Sequence, residues 1–134
     1  MKLLRYSIIA FLIAGCSNQT PPGSLDIYYR PFSATSIVRL TEPIMLTSAG
    51  TQAKIVDAEE ISRLLNSLPR TCDPSDMKEA DMDLRLLIYM NYADRRETWK
   101  AGTFSYHDSR VGKMCKMSPD LEDQVEAPLS RFRT

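Results

Sequence analysis

Few residues of this chain have types suited to chemistry, and their spacing limits what they can do. The single histidine, His107, stands beside Asp108, with Ser105 and Ser109 two positions to either side. Nucleophilic catalysis needs a nucleophile, a base and a group that orients the base. Side chains two apart on a strand lie side by side without that geometry, and no Gly-x-Ser-x-Gly elbow occurs. His107 therefore reads as a turn histidine, and no catalytic residue is assigned. Asp73, Asp76, Glu79, Asp81 and Asp83 crowd one stretch. Asp81-x-Asp83 invites a hard cation such as Ca2+, yet the calcium loop also needs a turn glycine and a distal glutamate, and neither is in place. The stretch reads as a solvated acidic loop, with no metal and no cofactor expected. Loops of this length often carry function, so a small-ligand or cation-binding role for residues 72–83 stays as an alternative. The other reactive types are Cys16, Cys72 and Cys115. They lack the Cys-x-x-Cys spacing of a redox pair, and one histidine adds too few soft ligands for zinc.

Cys16 has a distinctive setting. Lys2 and Arg5 carry positive charge, Tyr6 to Ala14 form an uncharged apolar run, and the small residues Ala14 and Gly15 precede the cysteine. This is the layout of a secretory signal, too short to span a bilayer stably. Ile13-Ala14-Gly15-Cys16 resembles the lipobox of bacterial lipoproteins, with isoleucine where leucine is commoner. The resemblance implies cleavage between Gly15 and Cys16, a diacylglycerol on the Cys16 sulfur and acylation of the new amine. One acyl chain binds a membrane only marginally, whereas two or three hold a protein there permanently. Ser17 follows the cysteine. An aspartate there resembles an inner-membrane retention signal, so its absence favours the outer membrane, facing the periplasm, in a Gram-negative cell.

With Cys16 lipidated and the chain exported, Cys72 and Cys115 remain as a pair in an oxidising compartment. A structural disulfide is expected between them. It would close a loop of about 44 residues and contribute about 4 kcal/mol in a chain-entropy picture. The expected organisation is a signal peptide over 1–15, a lipidated cysteine and polar tether over 16–24, and one domain over 25–134. The chain has 17 basic and 17 acidic residues, and two of the basic ones lie in the signal, leaving 15. That balance lacks the basic surface that nucleic acid requires, so nucleic acid is excluded as a partner.

The elements that must position these residues follow from periodicity. Leu25 to Phe32 reads as extended, Ser36–Leu40 and Ile44–Thr47 as strands, and Lys54–Val56 as a short strand. Asp57 is an N-cap with Glu60 completing a capping box, and Ile61, Leu64, Leu65 and Leu68 form one apolar stripe of a helix over 58–68. Pro69 ends it. Leu84 to Tyr92 alternates as a half-buried strand, with Leu84, Leu86, Ile88, Met90 and Tyr92 on one face. Ala93–Arg96 reads as a hairpin turn, and 97–106 as a return strand with a bulge at Gly102 that brings Trp99, Ala101, Phe104 and Tyr106 to one face. After a turn near 107–110, a strand over 111–117 holds Cys115. Ser118-Pro119 starts a short C-terminal helix closed by Pro128. The fold class is α+β, a small antiparallel sheet with the main helix and the C-terminal helix packed on one face.

The candidate interaction surface is the acidic loop with Asp73, Asp76 and Asp81, the hairpin tip with Asp94, Arg95 and Arg96, and Trp99. The functional expectation is a non-catalytic binding module anchored in the cell envelope through lipid on Cys16. Its partner would be another envelope protein, as for an accessory subunit or an immunity or inhibitor protein. An envelope hydrolase acting on wall or lipid is the enzymatic alternative.

Overall fold

The alternation over residues 84–92 puts a strand at the centre of the molecule. The computed structural model describes residues 20–48 and 50–132. The expected signal segment, with Gly15 and Cys16, lies outside the described residues. The strands are β1 (Ser24–Tyr29), β2 (Thr51–Ile55), β3 (Leu84–Asn91), β4 (Arg96–Gly102), β5 (Ser105–Asp108) and β6 (Lys113–Lys116). The helices are α1 (Glu42–Ser48), α2 (Ala58–Ser67) and α3 (Pro119–Glu126). The strands form one open sheet in the order β2-β1-β3-β4-β5-β6. Each neighbouring pair is antiparallel. The fold is α+β.

Packing follows the sequence pattern on the helical side. The Asp57 carboxylate caps α2 by accepting from the Glu59 N–H at 2.9 Å. Glu60 does not reach back to close the expected box, because it pairs with Arg131 at 2.7 Å. The α2 stripe of Ile61, Leu64 and Leu68 packs with Val125 and Leu129 on Leu25, Ile27, Leu86, Ile88, Met90, Trp99 and Tyr106 of the sheet. Ser118 caps α3, with Pro119 at the start, where its missing N–H leaves no bond unmade. α3 ends at Glu126, just before Pro128, and the chain continues in 3-10 turns over Ala127–Phe132.

The other face departs from expectation. Ser36–Leu40 is not a strand, and Ile44–Thr47 is helical, within α1. The Met45 N–H donates to the Thr41 carbonyl at 2.9 Å, which starts that helix. Pro43 fits its first turn. Met45, Leu40, Met82, Leu84, Leu87 and Tyr89 form a second core. β3 is therefore buried on both faces rather than half-buried.

The region around Gly102 is also corrected. The extra residue sits in β3, where the register shifts between Leu84 and Leu86 opposite Gly102 and Ala101. The bulge at Arg85 moves Leu84 to the second core, away from Leu86, Ile88 and Met90. The return strand over 97–106 is two strands, because the chain reverses at Thr103-Phe104. Trp99, Ala101 and Tyr106 share the helical-side core, while Phe104 is exposed at the turn. Gly102 is required there, since a Cβ would collide with the Asp83 carbonyl oxygen.

Candidate interaction surface

The antiparallel registers give the sheet two ends. Ser24, Asn91, Arg96, Asp108 and Lys113 mark the end at which β1 begins, with Ile55 of β2 there too. Tyr29, Leu84, Gly102, Ser105 and Lys116 mark the far end, with Thr51 of β2 beside them.

At the far end, an interlocked pair of charges holds the loop between β1 and α1. The bulge turns Arg85 inward, where its side chain is 5% exposed. Its guanidinium donates to both Asp83 carboxylate oxygens, at 2.9 and 3.1 Å, and to the Ala34 carbonyl at 3.2 Å. Asp83 also accepts from the Leu40 N–H at 2.7 Å. Burial pushes the Asp83 carboxyl up, but the bonds from Arg85 and Leu40 and the nearby Arg85 and Arg39 charges outweigh it and hold the group below its ordinary value. The loop so fixed presents Ile37 and Val38 to solvent, and Phe104 is exposed at the same end. Single exposed apolar residues need no explanation; Val56 and Val111 are exposed at the other end, and Ile37, Val38 and Phe104 make the larger group.

Beside this loop a cavity of about 370 Å3 opens on the α1 side, lined by Thr41, Glu42, Glu79, Met82, Leu84 and Lys100. Lys100 of β4 contacts Glu79 at 2.5 Å and Glu42 at 3.8 Å. His107 Nε2 lies 3.8 Å from Glu79, and the Tyr89 hydroxyl donates to Glu42. The Lys100 hydrogen bond is the main cause that holds the Glu79 carboxyl below its ordinary value. Burial first, then the Glu42 bond, pushes the Tyr89 phenol up. These groups spend their charge on one another. His107 is not a turn residue but faces inward from β5, and the following turn is made by residues 109–112, with Gly112 at φ 72°.

The predicted surface residues do not form one site. Trp99 is fully buried and stacks on Tyr106 at 5.5 Å, so it is core and not surface. Its Nε1 has no hydrogen-bond partner among the described residues. Asp94, Arg95 and Arg96 sit at the β3–β4 hairpin beside the chain's entry into β1. Arg95 lies over Tyr92 at 4.1 Å and Arg96 over Tyr89 at 4.5 Å. Asp73, Asp76 and Asp81 lie in the segment that crosses from α2 to β3. Asp81 pairs with Arg39 at 3.6 Å, and Asp83 with Arg85, so a guanidinium stands at each carboxylate of the Asp81-x-Asp83 pair.

The crossing segment has a structural task. Cys72 and Cys115 are bonded, with Cα atoms 5.2 Å apart. The Ser75 N–H donates to the Met114 carbonyl at 3.0 Å, and the Lys116 N–H to the Asp73 carbonyl at 2.6 Å. Sequence reasoning found the disulfide and placed Glu79 in the acidic stretch, but it missed Glu42 and Lys100, which the fold brings to Glu79, and the Arg85 partner of Asp83. Compared with protein-family models, curated proteins and solved structures, the chain matches none.

Proposed function

We propose that this chain is a lipid-anchored protein of a bacterial cell envelope whose domain binds another envelope protein without catalysing a reaction. The observation that carries the reading is the exposure of Ile37, Val38 and Phe104 at the far end of the sheet, a larger apolar group than Val56 and Val111 at the end where the chain enters. A tether from Cys16 to the buried Pro22 reaches roughly 20 Å when fully extended. It would hold the entry end toward the membrane and present the far end to the periplasm. The Cys72–Cys115 bond supports this address, because such bonds persist in oxidising compartments. Lys100, whose hydrogen bond lowers the Glu79 carboxyl, leaves it a weak general base, which supports binding over catalysis. An accessory subunit of an envelope complex or an immunity-type protein fits this layout.

Photo-cross-linking residues installed at positions 37, 104 and 95 in growing cells test the reading. Discrete protein adducts are expected at 37 and 104 and not at 95. Adducts at none of the three, or at 95 alone, would contradict it. A second reading, an envelope hydrolase, is favoured by Glu79 lying between Lys100 and His107 beside an open cavity. Its test is His107→Ala, which must abolish the envelope phenotype while leaving the adducts intact.

A further inference from the structure

The two edges of the sheet are finished differently. The outer edge of β6 is covered by residues 73–75, which bond to Met114 and Lys116 and are held there by the disulfide. The outer edge of β2 pairs with no strand among the described residues. In an antiparallel pair, every second residue of an edge strand turns its N–H and C=O away from its neighbour. β2 thus holds out main-chain donors and acceptors at the spacing of an extended backbone.

A second feature lies against the same edge. Ile55, at the end of β2, walls a cavity of about 240 Å3 on the helical side, together with Leu64, Ala127, Pro128 and Phe132. The Glu60–Arg131 ion pair supplies its polar side. The space suits one leucine- or phenylalanine-sized side chain. On the opposite face, Gln52 and Lys54 are exposed. Side chains of an added strand would alternate between these two faces.

We propose that β2 is a docking edge for an extended segment of a partner protein, which adds as a strand, places an apolar side chain in the Ile55 cavity and sets an acidic residue beside Lys54. Main-chain bonds supply affinity in this mode, and the pocket supplies specificity. The inference rests on the protein-binding reading and adds to its far-end surface the β2 edge, which runs from Thr51 at that end to Ile55 at the entry end.

The probe is a fluorescent heptapeptide that alternates leucine and glutamate, tested by anisotropy against the lipidated chain in detergent micelles. A peptide of the same composition with its leucines and glutamates in two blocks is the control. Saturable binding of the alternating peptide alone is expected, with slowed amide exchange over residues 51–55. Lys54→Glu should weaken it about tenfold, and Ala127→Trp, which fills the cavity from an exposed position, at least as much. Of Gln52→Pro and Ala53→Pro, one removes an outward N–H. The variant that melts like the parent should abolish binding. Equal binding of both peptides, no binding at millimolar concentration, or indifference to Lys54→Glu and Ala127→Trp would overturn the proposal. So would sedimentation showing a dimer that the tolerated proline variant splits, since that assigns the edge to a second copy. Adducts at 37 or 104 that survive the β2 variants would sink the edge and leave the protein-binding reading standing.

Discussion

Replacing Asp83 by alanine should destabilise the domain by about 3 to 4 kcal/mol, and the reason is Arg85. The Arg85 side chain is 5% exposed, and Asp83 is its carboxylate partner. A buried charge stripped of its partner costs about 3–5 kcal/mol. Asp83 itself is 33% exposed, so water reaches the vacated place and the lower end of that range applies. The Leu40 N–H also loses its acceptor, which adds about 1 kcal/mol. The fall in melting temperature should be roughly 12 °C for a domain of this size. Arg85→Met alone should cost less, because the remaining carboxylate is partly solvated. The double variant Asp83→Ala with Arg85→Met should recover to within about 1 to 2 kcal/mol of the parent. Urea unfolding followed by fluorescence of Trp99, the one tryptophan and fully buried, reads all four corners of the cycle. Equal destabilisation of the Asp83→Ala and double variants would show that an orphaned guanidinium is not the cause.

Other perturbations follow from the same structure. Reducing the Cys72–Cys115 bond should cost about 2–4 kcal/mol and speed amide exchange at Ser75 and Lys116, which bond across it; an unchanged melt in dithiothreitol would count against it. Gly102→Ala should cost about 1–3 kcal/mol, because the new methyl meets the Asp83 carbonyl oxygen, and urea midpoints read this directly. Asp83 and Glu79 are both held below their ordinary values, so their contribution is fully present above about pH 5 and is lost as pH falls through the lowered values. Melting curves between pH 2 and 7 should show that loss, and Asp83→Asn should flatten it. Phe104→Ser should leave the melting temperature within about 2 °C, because the ring is exposed, while removing adducts at position 37.

The helical side of the fold was legible because its signals are local. Asp57 and the stripe of Ile61, Leu64 and Leu68 specify α2, and Ser118-Pro119 specifies the start of α3. The α1 side was not, because a four-residue apolar run such as Ile44–Thr47 has no period to separate strand from helix. Pro43, tolerated in a first helical turn, was the signal available. The spacing predicts a bulge at Gly102, whereas the extra residue stands opposite it in β3. Gly102 looks like the irregular residue, yet it is glycine because the bulge of β3 presses the Asp83 carbonyl against it. Trp99 illustrates a different limit: aromatic residues mark interfaces and cores alike, and only the register shows it faces the helices. Glu42, Glu79, Lys100 and His107 come from four separate segments and share no sequence spacing, so their cluster was invisible before the sheet order was known.

The proposed address of the protein rests on the processing of Cys16. Intact-mass and fragment spectra of the chain extracted from membranes should show Cys16 at the N-terminus, carrying a thioether-linked diacylglycerol and an acylated amine. A chain that still begins at Met1, or a Cys16 without lipid, would contradict the account.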